Sequence, residues 1–419
     1  MDTRQVLGED YRPRIIDAVL VDALGTAGAV VIEGPRACGK TMTALKTCAS
    51  YVFLDEADIQ TRLEVAPDSI LDGAQPRLLD EWQVAPELWN RVRRRVDRSR
   101  QPGSFILTGS ALPADDATRH TGAGRFLRLR QHTMAWAELR PELTAISLAD
   151  LFNGFTPATS APVFGLTELV TQLTTSGFPA LSRLRPDQAA RLLRAYLQEI
   201  THADLGRLAA IRHEPALIER LLRALARATA SETTFQTLRT DVAGVAPSIT
   251  AETVSSYVGL LRQLFVVEQQ EAWAPGLRSR ARLRTSPRWH LADPALSAAA
   301  LGATASTLHS DLATTGLLFE SAVVHDLSVL AAPLEGRVFH YRDSNGHEID
   351  AVVVLPDGRW GAVEVKLGER QVLAGAKSLR TAVDQIESSP SFRLVITGTG
   401  GTFTLDDGTI TCPLAVLGA

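Results

Sequence analysis

A glycine-rich segment near the start of the chain has the residue types that bind a nucleoside triphosphate. Residues 34–41 fit the pattern G-x-x-x-x-G-K-[ST], with an apolar run, Ala29–Glu33, before them and a helix-like stretch, Thr41–Ala49, after them. Glycines let successive backbone N–H groups surround a phosphate, a lysine adds a positive charge, and a hydroxyl can bind Mg²⁺. A turn that matches the pattern by chance is the alternative. The predicted nucleotide-binding residues are Gly34, Pro35, Arg36, Ala37, Cys38, Gly39, Lys40 and Thr41.

Two acidic residues, Asp80 and Glu81, stand at the end of a predicted strand. A site that hydrolyses a nucleotide needs a carboxylate for the metal ion and a base for the attacking water. We expect Asp80 to bind Mg²⁺ together with Thr41, and Glu81 to polarise the water. A predicted strand and helix, Tyr51–Asp55 and Glu56–Leu63, lie between the glycine-rich segment and Asp80. That order is typical of the additional-strand class of P-loop ATPases.

Two further residues follow this region. Ser110 comes after the predicted strand Phe105–Thr108 and could place a hydroxyl beside the γ-phosphate, although an ordinary strand-end turn is the alternative. Arg125 ends a glycine-rich loop, Gly122–Arg125, in the manner of an arginine that is inserted into the site of a neighbouring subunit. Only four of the 43 basic residues are lysines, so an arginine at this position is weak support for that role.

A second group of charged residues lies in residues 348–366, whose pattern predicts a β-hairpin. Asp350 lies seven residues before Asp357 at the turn, and Glu364 lies seven residues after it. Their side chains should therefore be directly opposed on one face, with Cβ atoms about 5 Å apart. Lys366 shares that face because side chains two residues apart on a strand point the same way.

Two opposed carboxylates repel each other unless a cation neutralises them. With Lys366 they match a metal-dependent site that cleaves phosphodiesters, in which Asp350 and Glu364 bind Mg²⁺ and the lysine positions water. Glu320, in a helix-like stretch, could supply a third ligand. The alternative is a surface hairpin with a cross-strand Lys–Glu pair, and a shift of one residue in register would move Asp350 to the other face.

The remaining pattern predicts an α/β protein of several domains. Residues 1–150 alternate short apolar runs with helical patterns, which indicates a parallel sheet with helices on its faces. Residues 160–305 are mostly helical, and residues 306–419 return to mixed helix and strand. A segment rich in Gly and Pro, Asn153–Pro162, is the predicted linker after the first domain. The predicted strands of the first domain are Ala29–Glu33, Tyr51–Asp55, Arg77–Asp80, Phe105–Thr108 and Phe126–Arg130, and the predicted helices of the middle region are Arg191–Ile200, Ala216–Ala228 and Thr250–Leu264.

Composition excludes several classes of protein. With 45% hydrophobic and 21% charged residues the chain is neither disordered nor fibrous, and its formal charge of −4 provides no general attraction to nucleic acid or anionic membrane. The apolar runs are too short to span a bilayer, and the first residues lack the apolar core of a signal peptide. The three cysteines form no metal-binding pattern. We therefore expect a soluble cytoplasmic protein with no membrane partner.

These motifs have the same order along the chain as in a known family. Together with Gly177-Phe178-Pro179, Tyr257–Phe265 and Tyr341-Arg342, they resemble the prokaryotic AAA-type ATP-binding proteins that carry a C-terminal DUF4143 domain. The resemblance covers nearly the whole chain. It implies an AAA+-like ATPase module, a helical middle with a winged-helix element, and a terminal domain like the PD-(D/E)XK nucleases. It also implies that Ser110 is a sensor, that Arg125 is an arginine finger, and that Asp350, Glu364 and Lys366 form the nuclease motif with Glu320.

One basic segment suits the winged-helix element and a DNA partner. After the predicted helix Thr250–Leu264 and strand Phe265–Val267, residues Arg278–Arg284 alternate so that four arginines share one face of a strand. Such a ribbon can bind phosphates. An edge strand that its charge protects from aggregation is the alternative.

The leading hypothesis is a Mg²⁺-dependent ATPase that couples nucleotide state to DNA engagement and carries a nuclease-like domain whose cleavage activity is left open. A second hypothesis is a nucleotide-gated DNA-binding switch whose nuclease-like domain is inactive. A third is a chaperone-like protein remodeller, because the fold alone does not determine function. If Arg125 acts in a neighbouring subunit, the protein is a homo-oligomer.

Overall fold

The computed structural model describes residues 11–111, 122–205, 214–275 and 286–419. The chain divides into two compact units. The first contains Met1–Thr133 and Leu261–Val266, and the second contains Met134–Leu260 and Val267–Ala419. The predicted linker therefore does not separate them, since Ser160 lies inside the second unit and pairs with Thr402. The division into three domains stays a prediction.

The first unit is built on a parallel sheet. Its strands follow the order β2-β3-β4-β1-β5, and all neighbours are parallel. The predicted α/β architecture of this region is confirmed, with β1, β3 and β5 at the predicted bounds. The strands are β1 (Ala29–Glu33), β2 (Ser50–Phe53), β3 (Arg77–Asp80), β4 (Phe105–Gly109) and β5 (Phe126–Arg130), and the helices are α1 (Ile16–Thr26), α2 (Lys40–Thr47), α3 (Ala57–Val65) and α4 (Leu88–Ser99).

Helices cover both faces of this sheet. Val30 and Ile32 of β1 pack in one core cluster with residues of α1 and α2, whereas Ala29 and Val31 pack in another with residues of α3 and α4. Because side chains alternate between the faces of a strand, a strand buried on both faces is a continuous apolar run. The carboxyl ends of β1, β3 and β4 meet at one edge of the sheet, where the glycine-rich segment, Glu81 and Ser110 follow them.

The second unit begins with helices and short strands. The predicted helices of the middle region are confirmed to within five residues at each end, as Pro186–Glu199, Pro215–Arg227 and Ala251–Gln263. No helix in the described ranges combines the length and apolar character that crossing a bilayer requires. The helices are α5 (Trp136–Leu139), α6 (Leu148–Phe152), α7 (Leu166–Leu173), α8 (Pro186–Glu199), α9 (Pro215–Arg227), α10 (Phe235–Val242), α11 (Ala251–Gln263), α12 (Pro294–Leu301), α13 (Ala305–Ser310), α14 (Leu312–Leu330) and α15 (Val372–Val383).

The strands of the second unit form a mixed sheet and two smaller sheets. The mixed sheet has the order β10-β11-β12-β13-β15-β14, and the smaller sheets are β7-β9-β8 and β16-β6. The strands are β6 (Ile146–Ser147), β7 (Ser231–Glu232), β8 (Val267–Gln270), β9 (Arg288–Leu291), β10 (Arg337–Arg342), β11 (Glu348–Val354), β12 (Trp360–Lys366), β13 (Phe392–Thr397), β14 (Phe403–Thr404), β15 (Ile410–Pro413) and β16 (Leu417–Gly418).

The predicted hairpin is the β11–β12 pair, and its register is the predicted one. Ala351 lies opposite Val363, and Val354 lies opposite Trp360, which is the alignment that brings Asp350 and Glu364 together. The other face of the hairpin carries Ala351, Val353 and Val363, which are buried. In the structure Val352 and Ala362, on the face of Asp350 and Glu364, are also buried, in a cluster that includes residues of α15.

The predicted strand Phe265–Val267 starts two residues too early, because β8 begins at Val267. Phe265 has a φ of +59°, a left-handed conformation that interrupts extended backbone. The basic segment Arg278–Arg284 lies outside the described residues. The winged-helix assignment stays a prediction.

Candidate functional site

The glycine-rich segment, residues 34–41, forms a loop between β1 and α2 that is called the phosphate loop, and two glycines shape it. Gly39 precedes α2 with a φ of +100°, which favours glycine. At Gly34 a Cβ atom would lie 2.1 Å from the carbonyl oxygen of Gln131, so a side chain there would displace the backbone. Cys38 is fully buried, and its Sγ donates to the same carbonyl at 3.4 Å. The loop is therefore held against the residues that follow β5.

Lys40 is the first residue of α2, and its side chain extends into this loop. It is 4% exposed, and its ammonium donates to the carbonyl oxygens of Gly34 at 3.0 Å and Pro35 at 2.8 Å. Backbone carbonyls orient the ammonium without neutralising its charge. A phosphate group bound in the loop would therefore meet a buried positive charge.

Asp80 links the loop to two strands. Its Oδ1 accepts hydrogen bonds from the Thr41 hydroxyl, at 2.8 Å, and from the Thr108 hydroxyl on β4. Burial raises the pKa of Asp80 above its ordinary value, and the two hydroxyl donors oppose that rise. The carboxylate thus has two neutral donors on one oxygen.

Glu81 lies directly after β3 and belongs to a polar group of three side chains. Its Oε2 accepts from the Ser110 hydroxyl at 3.1 Å and from the Gln83 side-chain amide. The backbone N–H of Glu81 donates to Thr108 at 3.2 Å, and Glu81 has a φ of +56°. Thr108, Ser110 and Gln83 therefore fix both the backbone and the carboxylate of Glu81.

Arg125 lies at the opposite end of the sheet from the phosphate loop. Its carbonyl accepts from the N–H of Ala29, the first residue of β1, whereas the loop follows the last residue of β1. Its guanidinium bonds to Asp97 on α4 at 2.6 Å. Because a strand rises about 3.3 Å per residue, the length of β1 separates Arg125 from the phosphate loop of its own chain.

The second group of charged residues, the carboxylate cluster, consists of Glu320, Asp350, Glu364, Arg288 and Lys366. Asp350 accepts the backbone N–H of Val365 at 2.9 Å, across the hairpin. The Lys366 ammonium donates to Glu364 at 2.7 Å. At Gly375 on α15 a Cβ atom would lie 3.1 Å from the Lys366 side chain, so this glycine allows the helix to approach closely.

Arg288 of β9 joins the remaining carboxylates of the cluster. Its side chain is 6% exposed, and its guanidinium contacts Glu320 at 2.5 Å and Asp350 at 3.6 Å. A second nitrogen donates to Glu348 at 3.1 Å. Sequence analysis did not single out Arg288.

Burial and mutual repulsion shift the protonation of the carboxylate cluster. Burial and the neighbouring Asp350 raise the pKa of Glu320 to about 8 and that of Glu364 to about 7. Burial alone would lower the pKa of Lys366, but Glu364 and Asp350 raise it above its ordinary value. The cluster therefore retains protons that isolated carboxyl groups would have released at neutral pH.

Comparison with protein families finds matches over three ranges of the chain. Residues 26–140 match the model of an AAA domain, residues 166–307 match a domain of unknown function, DUF8612, and residues 315–417 match a domain of unknown function, DUF4143. The first unit carries an AAA-type P-loop ATPase domain. These matches confirm two parts of the family resemblance, the AAA-type domain and the C-terminal DUF4143 domain.

Individual proteins similar to this chain include the uncharacterized proteins Rv2008c of Mycobacterium tuberculosis and Mb2031c of Mycobacterium bovis. Each is 24% identical over 397 residues, covering 93% of this chain and 81% of its own length. The Walker-type ATPase PABY2304 of Pyrococcus abyssi aligns with 70% of this chain and 99% of its own, at 13% identity and a TM-score of 0.41. AMPPCP-bound DnaA from Aquifex aeolicus aligns with 58% of this chain and 86% of its own, at 12% identity and a TM-score of 0.25.

The ATPase domain has residues that fit Mg²⁺. The Thr41 hydroxyl and the Asp80 carboxylate are in direct contact, and both are oxygen ligands. Mg²⁺ is usually bound through one or two protein oxygens, with phosphates and water completing its shell. A pair of protein ligands is therefore enough when a nucleotide supplies the others.

The carboxylate cluster does not fit Mg²⁺ in the same way. Within the part of the chain that the structure describes, no group of three or more His, Cys, Asp or Glu side chains is arranged to hold a metal ion. Asp350 and Glu320 share the Arg288 guanidinium, and Glu364 is bonded to Lys366. The structure thus brings the predicted residues together around two cationic side chains.

Two residues of the ATPase domain that sequence analysis did not single out contact its predicted site residues. Thr108 bonds to both Asp80 and Glu81, and Gln83 bonds to both Glu81 and Ser110. The signal for Thr108 was its position at the end of a strand next to that of Asp80. The only indication in the sequence that Gln83 contributes to the site was its position two residues after Glu81.

Proposed function

We propose that the protein hydrolyses ATP with Mg²⁺ at the edge of its first sheet and uses the nucleotide state to control its engagement of DNA. The contact of Thr41 and Asp80 beside the buried Lys40 supports the first part most directly. Mg²⁺ supplies charge neutralisation of the phosphates when it is bound. Lys40 binds the β- and γ-phosphates, and Thr41 and Asp80 are the protein ligands of the metal ion.

Glu81 is the residue proposed to orient and polarise the attacking water. Ser110 and Gln83 hold one oxygen of its carboxylate, Oε2, which leaves the other oxygen for water. Ser110 is well placed for a sensor, because a shift of its hydroxyl would be transmitted directly to Glu81. The residues that hold Glu81 all come from its own chain.

Two substitutions test this proposal separately. Lys40→Ala should abolish ATP binding, measured by calorimetry with ATP and Mg²⁺. Glu81→Gln should retain ATP binding but lower the rate of phosphate release by roughly a hundredfold or more. A Lys40→Ala protein with unchanged ATP affinity would contradict the assignment of the nucleotide site, and Glu81→Gln with full activity would contradict the role of Glu81.

Arg125 is proposed to act in the site of a neighbouring copy of this chain. Its position away from the phosphate loop of its own chain supports that role, and release from Asp97 would have to precede it. A mixing experiment tests this. Arg125→Ala and Lys40→Ala proteins should both be inactive alone, and their mixture should regain activity because Lys40→Ala subunits supply Arg125. Absence of recovery, with activity independent of protein concentration, would indicate action within one chain.

The proposal that the protein engages DNA rests on the basic segment Arg278–Arg284 and on the family resemblance. A positively charged segment binds phosphates with an affinity that falls as the salt concentration rises. The test is fluorescence anisotropy of labelled duplex DNA with Glu81→Gln protein, in ATP and in ADP. We expect affinity to differ between the two nucleotides, and Lys40→Ala to remove the difference. Equal affinity in both nucleotides would contradict coupling.

The geometry of the carboxylate cluster favours a nuclease-like domain that does not cut. Opposed carboxylates and a lysine support the cutting alternative, but Arg288 lies between Glu320 and Asp350. Supercoiled plasmid incubated with protein and Mn²⁺ distinguishes the two. We expect no cleavage above that of Asp350→Asn. Cleavage that disappears in Asp350→Asn and in Glu364→Gln would establish the cutting form.

A further inference from the structure

The carboxylate cluster contains a buried arginine in addition to the three acids and the lysine that the hairpin pattern suggests. Arg288 belongs to β9, the central strand of the β7-β9-β8 sheet, and not to the hairpin that carries Asp350. It contacts Glu320, Asp350 and Glu348, which come from a helix and a strand. Its placement therefore depends on the packing of three separate elements.

The charges of the cluster nearly balance. Three carboxylates, Glu320, Asp350 and Glu364, face two cations, Arg288 and Lys366, so a single retained proton completes neutrality. Glu348, which also contacts Arg288, is paired with Arg342 at 3.2 Å, so this fourth acid and its own cation leave the count unchanged. Removing Arg288 would leave three carboxylates with one ammonium. That excess of two negative charges matches one divalent cation.

The contacts of Arg288 are those that a bound ion would otherwise make. A guanidinium reaches carboxylates from different directions through a rigid fork of donors, and it stays charged when buried. Arg288 is in contact with one carboxylate from α14 and one from β11. A metal ion bound to the same two carboxylates would have to displace it.

We propose that the Arg288 guanidinium, which comes from the region matched by DUF8612, takes the place of a divalent cation in the carboxylate cluster, so that the acids of the DUF4143 region are neutralised by a side chain of the same chain and bind no metal ion there. This inference rests on the proposed non-cutting form of the domain and gives its physical cause. Mg²⁺ bound with nucleotide in the ATPase domain is unaffected by it.

The test counts bound Mn²⁺ in the full chain without nucleotide, using electron paramagnetic resonance of the free ion. Wild-type and Asp350→Asn proteins should bind the same number of ions. Arg288→Met should bind about one more ion per chain, on the order of tenfold more tightly than any wild-type site. The double variant Arg288→Met with Asp350→Asn should lose that ion, and Arg288→Lys should not gain it.

Each outcome decides the proposal. An ion bound by wild-type protein and lost in Asp350→Asn would overturn it, even if Arg288→Met failed to fold. A folded Arg288→Met protein that gained no ion would overturn it as well. Plasmid cleavage by wild-type protein without a Mn²⁺ ion at the cluster would instead contradict only the proposed non-cutting function, so the two failures are distinguishable.

Discussion

The nucleotide site and the carboxylate cluster both contain buried carboxylates, but they satisfy them with different partners. Asp80 accepts hydrogen bonds from two neutral hydroxyls, Thr41 and Thr108. Glu320 and Glu364 are instead bonded to cations, Arg288 and Lys366. A hydroxyl satisfies a carboxylate oxygen without cancelling its charge, whereas a guanidinium cancels it.

A carboxylate that keeps its negative charge can still attract a metal ion, whereas a carboxylate that is paired with a cationic side chain attracts it less. Both regions match metal-binding patterns in sequence, and both lie at strands of a sheet. The partners that surround the acids, rather than the acids alone, therefore determine what each region can bind. Four substitutions test this comparison.

Asp80→Asn should have the largest effect. An asparagine oxygen can still accept from Thr41 and Thr108, so the fold should persist, but the charge proposed to attract Mg²⁺ is lost. We expect steady-state phosphate release to fall by about a hundredfold or more. The melting temperature serves as the control and should change little. Retained activity would show that Asp80 is not a metal ligand.

Arg288→Met should destabilise the second unit more than any other single change in the cluster. It removes one partner of a buried charge network, which costs roughly 3–5 kcal/mol in the free energy of unfolding. Urea denaturation measures this. Arg337→Met is the matched control, because its pair with Glu271 is solvent-exposed, and it should cost less than about 1 kcal/mol. Equal effects would mean that Arg288 is not the central cation.

Thr108→Val should have a smaller effect on stability. The valine has a similar shape but leaves Asp80 with one donor and Glu81 without a partner for its N–H, a loss of about 1–3 kcal/mol in the free energy of unfolding. Thr108→Ser keeps the hydroxyl and should be close to wild type. If Thr108→Ser is as unstable as Thr108→Val, the methyl group and not the hydroxyl is what matters.

Glu320→Gln should change how stability depends on pH. The folded protein holds Glu320 at a pKa of about 8 and Glu364 at about 7, both above the ordinary value of 4.5. Between pH 4.5 and 8 the folded state therefore binds more protons than the unfolded state, and the free energy of unfolding falls as pH rises. Glu320→Gln should flatten this fall, which melting temperatures across that range will show. Identical slopes in wild type and variant would assign the effect to other groups.

Much of the framework was predictable because it depends on local pattern. The strands Ala29–Glu33 and Arg77–Asp80 contain short apolar stretches, residues 29–32 and 78–79, that are buried on both faces. The register of the hairpin followed from its turn, which fixes which residues are opposed. These features are encoded within short stretches of sequence.

The partners of the acids were less predictable because they come from distant parts of the chain. Arg288 is 32 residues from Glu320 and reaches it through the pairing of β9 with β7 and β8. Thr108 reaches Asp80 across neighbouring parallel strands. Patterns in a single sequence do not specify the order of strands in a sheet. Without that order, neither Arg288 nor Thr108 could be placed beside the carboxylate that it contacts.

The buried thiol of Cys38 gives the phosphate loop a chemical reporter of its own. All three cysteines of the chain, Cys38, Cys48 and Cys412, are buried, so an alkylating reagent reaches each one only when its surroundings open. The rate of Cys38 labelling will report opening of the loop, with Cys412 in the second unit as an internal reference. Nucleotide that closes the loop should slow alkylation at Cys38 and leave Cys412 unchanged.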